Sequence, residues 1–370
     1  MGCNFGNWEL SLNVTRFAIP KKVNKGGVMA GETANIADVA KMVFKDIFKI
    51  FKWVDVGCYD ENFLCHKEKE HSGKTSGKGF KYEHPSDCVF YYFDPYKNQR
   101  IYHQVDLKSY AAKTITKDKI YEAIFSLAKT IDCARGSKPW QDKYIHGSVS
   151  HSVRGMLFIY NHDGEFDKDF YGHLNQVKMD KIPLKKGQII HVIDPLRIKY
   201  LCSVVADIKH LSYENEIPKD YSFFYPDLFL HKSSGDDDSY PATVELLTAP
   251  YMILKFNNFG FEKDGEYIKN SSGYVVYYNK DGSTHNEFMY LLDSLSRFQL
   301  INSKETIKIR VAHHSPSENL MANYKRAKET YLEDWGLDEF KRVCLDRIEF
   351  GLVQNSIPNY SPGFLAWRCL

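Results

Sequence analysis

The chain has 370 residues, more than one hydrophobic core usually organises, so two domains are expected. Its 43% hydrophobic and 26% charged residues exclude a disordered or fibrous protein. The net charge of +2 excludes a global attraction to nucleic acid, so any such attraction must be local.

In the first half, apolar residues at helical and strand periods predict the element order helix, strand, strand, strand, helix, strand. The elements are a helix at 33–51, a strand at 54–59, a hairpin at 87–107, a helix at 117–135 and a strand at 154–163. Between the first two strands, the Lys/Gly/Ser-rich stretch 66–81 has no apolar period and predicts a basic loop.

Further along, strands at 188–194 and 221–232 are predicted around a helix near 196–210. The acidic, Gly/Ser-bearing stretch 233–243 is the best candidate for a linker. After it the patterns predict a separate α+β unit. Its elements are strands at 251–257, 273–278 and 306–312, a helix at 285–300 and two helices within 317–349.

The cysteines and apolar stretches indicate the compartment. The eight cysteines have no repeated spacing, and the tightest group, Cys58, Cys65, His66 and His71, has neither CxxC nor HxxxH. Free thiols in a reducing compartment are favoured over a zinc site there. No stretch approaches the ~20 apolar residues of a membrane span, and the N-terminal sequence has no signal-peptide pattern. A cytoplasmic protein without a membrane partner is expected.

Each strand of the predicted hairpin carries an aspartate. If the turn is centred between Tyr96 and Lys97, Asp87 lies directly across from Asp106, and opposed residues share a face. Lys108, two residues further on, lies on that face as well. The opposite face of the second strand is mostly apolar and is expected to face the core.

Two facing carboxylates repel each other, and a divalent cation would offset the repulsion. Mg²⁺ prefers one or two carboxylates together with water and phosphate oxygens. A neighbouring lysine can orient a water molecule or stabilise charge on a phosphate. The alternative is structural. Asp87 would begin its strand at an exposed edge of the sheet, and Asp106 would pair with Lys108 or another lysine.

These residues resemble the PD-(D/E)XK, or restriction-endonuclease-like, nucleases. In that superfamily an Asp starts the second core strand and a (D/E)-x-K triplet ends the third, as in "PSD" (85–87) and "DLK" (106–108). The element order also matches, over about residues 31–163. The sequence departs in two details: a serine separates the proline from the aspartate in "PSD", and the triplet begins with Asp where Glu is commoner.

The resemblance implies an α/β fold with α+β character. A restriction-endonuclease-like core, with a mixed sheet flanked by helices, would lie in a nuclease domain over 1–235. A C-terminal α+β domain over 240–370 would follow, as a candidate for partner or substrate recognition or for homo-oligomer formation. Its Tyr/Phe-rich strands could equally be covered by its own helices.

The resemblance also implies roles for single residues. Asp87, Asp106 and the Leu107 carbonyl would hold Mg²⁺, with Mn²⁺ as an alternative, and Lys108 would position the attacking water. In this superfamily an acid on the first helix often completes the site, and Glu32 is the candidate. Its alternative role is a first-turn acid that complements the helix dipole.

Further residues are candidates for contact with nucleic acid. Gln104 lies on the site face and is either a substrate contact or a neutral part of the sheet. Residues 97–143 hold ten Lys/Arg against five Asp/Glu. These cations, Lys113 among them, together with Lys74 and Lys78 predict a phosphate-binding surface, although an ordinary solvated helix face has the same composition.

The function predicted from these observations is metal-dependent hydrolysis of phosphodiester bonds, in DNA because most of the resembled family acts on DNA. By analogy of architecture, the chain is expected to be an effector of a bacterial anti-phage defence system. The alternative is a non-catalytic nucleic-acid-binding or assembly subunit, which the loss of an acid or of the lysine would have favoured.

Overall fold

A computed structural model of the chain describes residues 37–71, 82–227, 232, 238–354 and 360. Glu32, Lys74 and Lys78, which the sequence singles out, lie outside the described residues. The same is true of residues 233–237 in the predicted linker.

The first half contains the predicted elements together with several short ones. In chain order they are helix α1 (37–48, with a π-helical end at Phe44–Phe48), β1 (Val54–Tyr59), β2 (Phe63–Leu64), α2 (Glu68–His71), β3 (Glu83–His84), β4 (Cys88–Asp94), β5 (Gln99–Tyr110), a 3₁₀ turn (Ala112–Thr114), α3 (Lys117–Ala134), α4 (Lys138–Tyr144), β6 (His151–Asn161), α5 (Phe170–Asn175), a 3₁₀ turn (Met179–Lys181), β7 (Ile190–Ile193) and α6 (Pro195–Tyr213).

Five of these strands form a mixed sheet in the order β1-β4-β5-β6-β7. The pairs β1–β4 and β4–β5 are antiparallel, whereas β5–β6 and β6–β7 are parallel. Helices cover both faces of the sheet. The predicted restriction-endonuclease-like architecture is confirmed.

The two faces of this sheet pack against different helices. Phe48 of α1 contacts Phe90 and Phe158 on one face, with ring centroids 5.4 and 6.1 Å apart. On the other face, α3 buries an apolar stripe against Leu157 and Ile159 of β6. The stripe repeats every three to four residues, which is why this segment forms an amphipathic helix.

The second half continues with β8 (Ser222–Phe223), α7 (Val244–Thr248), β9 (Tyr251–Phe256), β10 (Phe259–Lys263), β11 (Glu266–Asn270), β12 (Gly273–Tyr278), α8 (His285–Arg297), β13 (Thr306–Val311), α9 (Leu320–Asp334), α10 (Glu339–Asp346) and β14 (Glu349–Leu352). A second five-stranded sheet has the order β8-β9-β12-β13-β14. Its successive pairings are antiparallel, antiparallel, parallel and parallel. The second sheet therefore repeats the pairing scheme of the first.

One buried apolar cluster connects the two sheets. It includes residues of α1 and β4 from the first half and of β9 and β12 from the second. Helix α6 is buried on most of its circumference, which is expected of a helix enclosed between two layers. Asp207 of this helix pairs with Arg310 of β13 at 2.7 Å.

The end of the predicted linker takes part in this contact. Tyr240 and Ala242 are buried; the Ala242 N–H donates to the Phe51 carbonyl at 3.0 Å, and the Trp53 indole donates to the Ala242 carbonyl at 2.6 Å. Residues 240–243 are therefore packed against the first half rather than exposed. The division into domains at 1–235 and 240–370 stays a prediction.

Among the described residues, no helix has both the length and the apolar character needed to cross a membrane.

Candidate active site

The hairpin β4–β5 positions the two aspartates. Cys88 pairs with Val105 and Asp94 with Gln99, so that the numbers of paired residues follow the predicted register. The predicted register is confirmed. Extending it by one residue places Asp87 opposite Asp106, immediately beyond the end of β4.

Asp87 is fixed through both its side chain and its backbone. Its Oδ2 accepts a hydrogen bond of 2.7 Å from the Leu107 N–H, and its carbonyl oxygen accepts one of 2.8 Å from the Asp60 N–H. The carboxylate therefore accepts a hydrogen bond from the β5 backbone just beyond the end of β4. This contact directs Asp87 towards the end of β5.

Lys108 and Asp106 form an ion pair. The Lys108 Nζ lies 2.5 Å from Asp106 Oδ1; about a third of the lysine side chain is exposed, while Asp106 is more enclosed. Burial lowers the pKa of Lys108, but the attraction of Asp106 outweighs this effect and raises the pKa above its usual value. Lys108 is therefore a cation that contacts Asp106 and is partly open to solvent.

The two carboxylates interact unfavourably when both are ionised. Burial, followed by the negative charge of Asp106, raises the pKa of Asp87 to about 7, although the hydrogen bond from Leu107 acts in the opposite direction. Because of this repulsion, two acids that share a buried site tend to keep one proton between them. A bound cation would remove the same repulsion.

The donor atoms at this point fit a hard divalent cation. Within a strand, the N–H and C=O of one residue point towards the same neighbour. Because the Leu107 N–H points to Asp87, the Leu107 carbonyl oxygen points to the same side of β5. Two carboxylates and one carbonyl are an oxygen-only set of the kind that binds Mg²⁺.

Gln104 is enclosed in a hydrogen-bond network. It is 1% exposed, its Nε2 donates to Ser86 Oγ at 3.0 Å, and its Oε1 accepts from the Trp140 indole at 2.9 Å. The Ser86 hydroxyl also lies 3.2 Å from the Tyr144 hydroxyl. These contacts favour the structural alternative for Gln104, because its amide has partners within the protein. The network fixes Ser86 and hence the residue that follows it, Asp87.

Helix α3 forms the wall opposite the carboxylates. A narrow cleft there is lined by Asp87 and Asp106 from the hairpin and by Ser126 and Thr130 from α3. The helix approaches the sheet closely at Gly155, where an added Cβ would lie 3.1 Å from Leu127 Cγ. The small residue at this position therefore sets how deeply α3 lies over the site.

The other predicted site residues are not all placed near the carboxylates. Lys113 is exposed in the turn after β5, with two residues between it and the end of that strand. The described part of α1 packs on the sheet face opposite Asp106, so it contributes no side chain beside the pair. Glu32 itself lies outside the described residues.

Sequence reasoning missed Trp140 and Tyr144, which hold Ser86 and Gln104 in place. Both lie on α4, a seven-residue helix that the sequence analysis did not predict. A signal was present, since Ser137 and Pro139 are a serine N-cap followed by an early proline, which together mark a helix start.

The mixed sheet, the flanking helices and the Asp87, Asp106 and Lys108 constellation are those of a PD-(D/E)XK nuclease core. Residues 29–197 match the family described as "GAPS4 protein PD-(D/E)XK nuclease domain". No curated protein and no solved structure matches the chain. Nucleases of this superfamily act on nucleic acids and generally use divalent metal ions.

Proposed function

We propose that the protein is a Mg²⁺-dependent nuclease that hydrolyses phosphodiester bonds in DNA. The observation that carries the proposal is the convergence of Asp87, Asp106 and Lys108 on one face of the sheet, where β4 begins. The family match supports nuclease chemistry over residues 29–197.

In this proposal each residue has a separate task. Asp87, Asp106 and the Leu107 carbonyl would hold the metal ion. The ion would polarise the phosphate and offset the charge that develops on it. Lys108 would orient the attacking water towards the phosphorus and stabilise the developing negative charge through its ammonium group.

The surroundings of the site are compatible with a polyanionic substrate. Lysines and arginines outnumber acids by ten to five over residues 97–143, and Lys113 is exposed. Such a surface attracts the phosphate backbone without reading its sequence. We further propose a cytoplasmic effector role in anti-phage defence, which rests on the family match.

The test is incubation of the purified chain with plasmid, linear duplex DNA, single-stranded DNA and RNA, each with Mg²⁺, Mn²⁺, Ca²⁺ or EDTA. Cleavage of DNA is expected with Mg²⁺ or Mn²⁺ and none with EDTA or Ca²⁺. Asp87→Asn, Asp106→Asn and Lys108→Ala should each lower cleavage by at least ~10²-fold, because each removes one preorganised electrostatic contact. DNA binding by the two Asn variants should persist or strengthen, since a negative charge leaves the phosphate path.

A matched control lies in the second half of the chain. Glu339-Phe340-Lys341 has the same acid-x-lysine form, but its residues are exposed on α10. Glu339→Gln and Lys341→Ala should leave cleavage unchanged. Wild-type activity in EDTA, or full activity of Asp87→Asn, would overturn the proposed metal-dependent mechanism at this site. Absence of cleavage under every condition would favour a non-catalytic nucleic-acid-binding subunit. Cleavage of RNA alone would overturn the choice of DNA.

A further inference from the structure

A second cluster of metal-ligating side chains lies apart from the carboxylates. It joins the β2–β3 hairpin to the C-terminal end of α3. Its members are Cys65, His71, His84 and Cys133; all four are buried, and one potential ligand atom of each lies within 4.8 Å of the others. Among the described residues, this cluster combines two thiols with two imidazoles.

Four of the six distances within the cluster are close to those around a tetrahedral ion. Cys65 Sγ lies 3.5 Å from Cys133 Sγ, and His71 Nδ1 lies 3.3 Å from His84 Nε2. His71 Nδ1 is 3.4 Å from Cys65 Sγ and 3.3 Å from Cys133 Sγ. A tetrahedral zinc with Zn–S bonds of about 2.3 Å and Zn–N bonds of about 2.0–2.1 Å separates its ligand atoms by about 3.3–3.8 Å.

The second nitrogen of His71 has the partner that a metal-bound histidine usually has. His71 Nε2 lies 3.3 Å from Asp132 Oδ2. Asp132 in turn accepts hydrogen bonds from Lys67 Nζ at 2.8 Å and from Gln188 Nε2 at 3.0 Å. A carboxylate on one ring nitrogen fixes the tautomer and directs the lone pair of the other nitrogen towards the ion.

One thiol also has a partner suited to its ionised form. The Lys67 backbone N–H donates to Cys65 Sγ at 3.3 Å. Such a hydrogen bond stabilises negative charge on a thiolate that binds a metal. The cluster thus has an outer layer of contacts on both a histidine and a cysteine.

We propose that Cys65, His71, His84 and Cys133 bind one Zn²⁺ ion in a closed, structural site. Binding releases the two thiol protons and leaves two thiolates and two neutral imidazoles around the dication, so that the buried site carries no net charge. Sulfur and imidazole donors select zinc, whereas the oxygen donors at Asp87 and Asp106 suit Mg²⁺. With four protein ligands, the zinc has no open position for substrate.

The site would strengthen the association of segments that are already joined by the Lys67–Asp132 ion pair. β2 and β3 have only two residues each, too few to be stable as an isolated hairpin. His84 precedes Asp87 by three residues, and Cys133 lies on the helix that covers the carboxylates. The zinc would therefore hold the start of the carboxylate strand against α3.

The test measures metal rather than cleavage, so it succeeds or fails independently of the proposed nuclease activity. The full-length chain is expressed with zinc in the medium, purified without a metal-affinity column and analysed by elemental mass spectrometry. One zinc per chain is expected. Replacement by Co²⁺ should give the visible absorption of a tetrahedral site with thiolate ligands.

Variants locate the ion. Cys65→Ser and Cys133→Ser should lose stoichiometric zinc and lower the thermal midpoint by at least about 5 °C. Cys58→Ser is the matched control, because Cys58 belongs to the same sequence group but not to the cluster, and it should retain one zinc. Circular dichroism spectra of each variant show whether it is folded.

Because the wild-type metal content and the Co²⁺ spectrum require no mutation, they decide the question even if the cysteine variants do not fold. A wild-type protein that contains no zinc and takes up no Co²⁺ would overturn the proposal. A Cys65–Cys133 disulfide in the protein purified under reducing conditions would overturn it as well, as would zinc retained by both cysteine variants.

Discussion

Asp87 is both buried and close to a second carboxylate, and this combination makes the metal-free protein sensitive to pH. Its pKa of about 7 in the folded chain lies above the usual value of 3.8, mainly because of burial and then because of Asp106. A raised acid pKa means that the folded state holds a proton that the unfolded state has already released. The stability contribution of this proton is present at low pH and is lost as pH rises from about 4 to about 7.

We therefore expect Asp87→Asn to stabilise the protein in EDTA, because the amide carries no charge. The gain in thermal midpoint over wild type should be larger at about pH 8 than at about pH 5. Addition of Mg²⁺ should raise the midpoint of wild type more than that of the variant. Thermal unfolding followed by circular dichroism measures both effects.

The control for this residue is Asp180, an exposed acid in a 3₁₀ turn. Asp180→Asn should change the midpoint little at either pH. If Asp87→Asn were no more stable than wild type at about pH 8 in EDTA, the carboxylate would not be strained in the way that the structure indicates.

At the scale of the element, the turn between β4 and β5 sets the register that brings the aspartates together. Asp94 Oδ1 accepts hydrogen bonds from the N–H groups of Tyr96 and Lys97, each at 3.0 Å. Asn98 has φ = 50°, in the left-handed region that β-branched residues avoid. The turn therefore depends on a short polar residue at each end.

We expect Asn98→Val to lower the free energy of unfolding by about 1–2 kcal/mol, because valine is strained at this φ. Asn98→Gly is the matched control and should be tolerated, since glycine adopts this backbone freely. Urea unfolding curves of the two variants test the difference. A valine variant as stable as the glycine variant would show that the turn can change its conformation without cost, and its register would then be set elsewhere.

The hairpin also shows what the sequence can predict. Its register follows from two local signals, the alternation of apolar residues and a turn of polar residues. The pairing of Asp87 with Asp106 can therefore be predicted from the sequence. The hydrogen bonds of Gln104 could not be foreseen in the same way. They depend on Trp140, which the chain reaches only after a helix of eighteen residues.

The cysteine and histidine cluster was missed for a related physical reason. The sequence groups Cys58, Cys65, His66 and His71 because they are close along the chain. In the fold, two of these stay outside the cluster, and Cys133 enters it from 68 residues away. Three of the four cluster residues lie within 65–84, but their spacing forms no recognised motif, and the fourth lies at the far end of α3.

At the scale of the whole molecule, the two sheets share a pairing scheme but not the acidic residues. In the second sheet Tyr251 pairs with Tyr278, and the next residues outward are Pro250 and Asn279. The Asn279 N–H donates to the Pro250 carbonyl at 2.7 Å, which continues the pairing. These positions correspond to Asp87 and Asp106, and they carry no carboxylate. The proposed chemistry therefore belongs to the first sheet alone.

The contact between the halves leads to the last prediction. Because 233–243 is acidic and rich in Gly and Ser at its start, limited proteolysis should cut first before residue 240, where burial begins. The two fragments should nevertheless elute together on size-exclusion chromatography, since one buried cluster includes residues of both. They should separate only in denaturant.

A single substitution can test that contact. Ala242 is fully buried between Phe51 and Trp53, so Ala242→Arg should make the fragments separate after cleavage, because a charged side chain cannot be accommodated there. Ala322→Arg places the same side chain on the exposed face of α9 and should leave the fragments together. Fragments of the wild type that separate in native buffer would show that each half holds its fold alone and that the shared cluster adds little. In that case the boundary predicted between 235 and 240 would be one between independent domains.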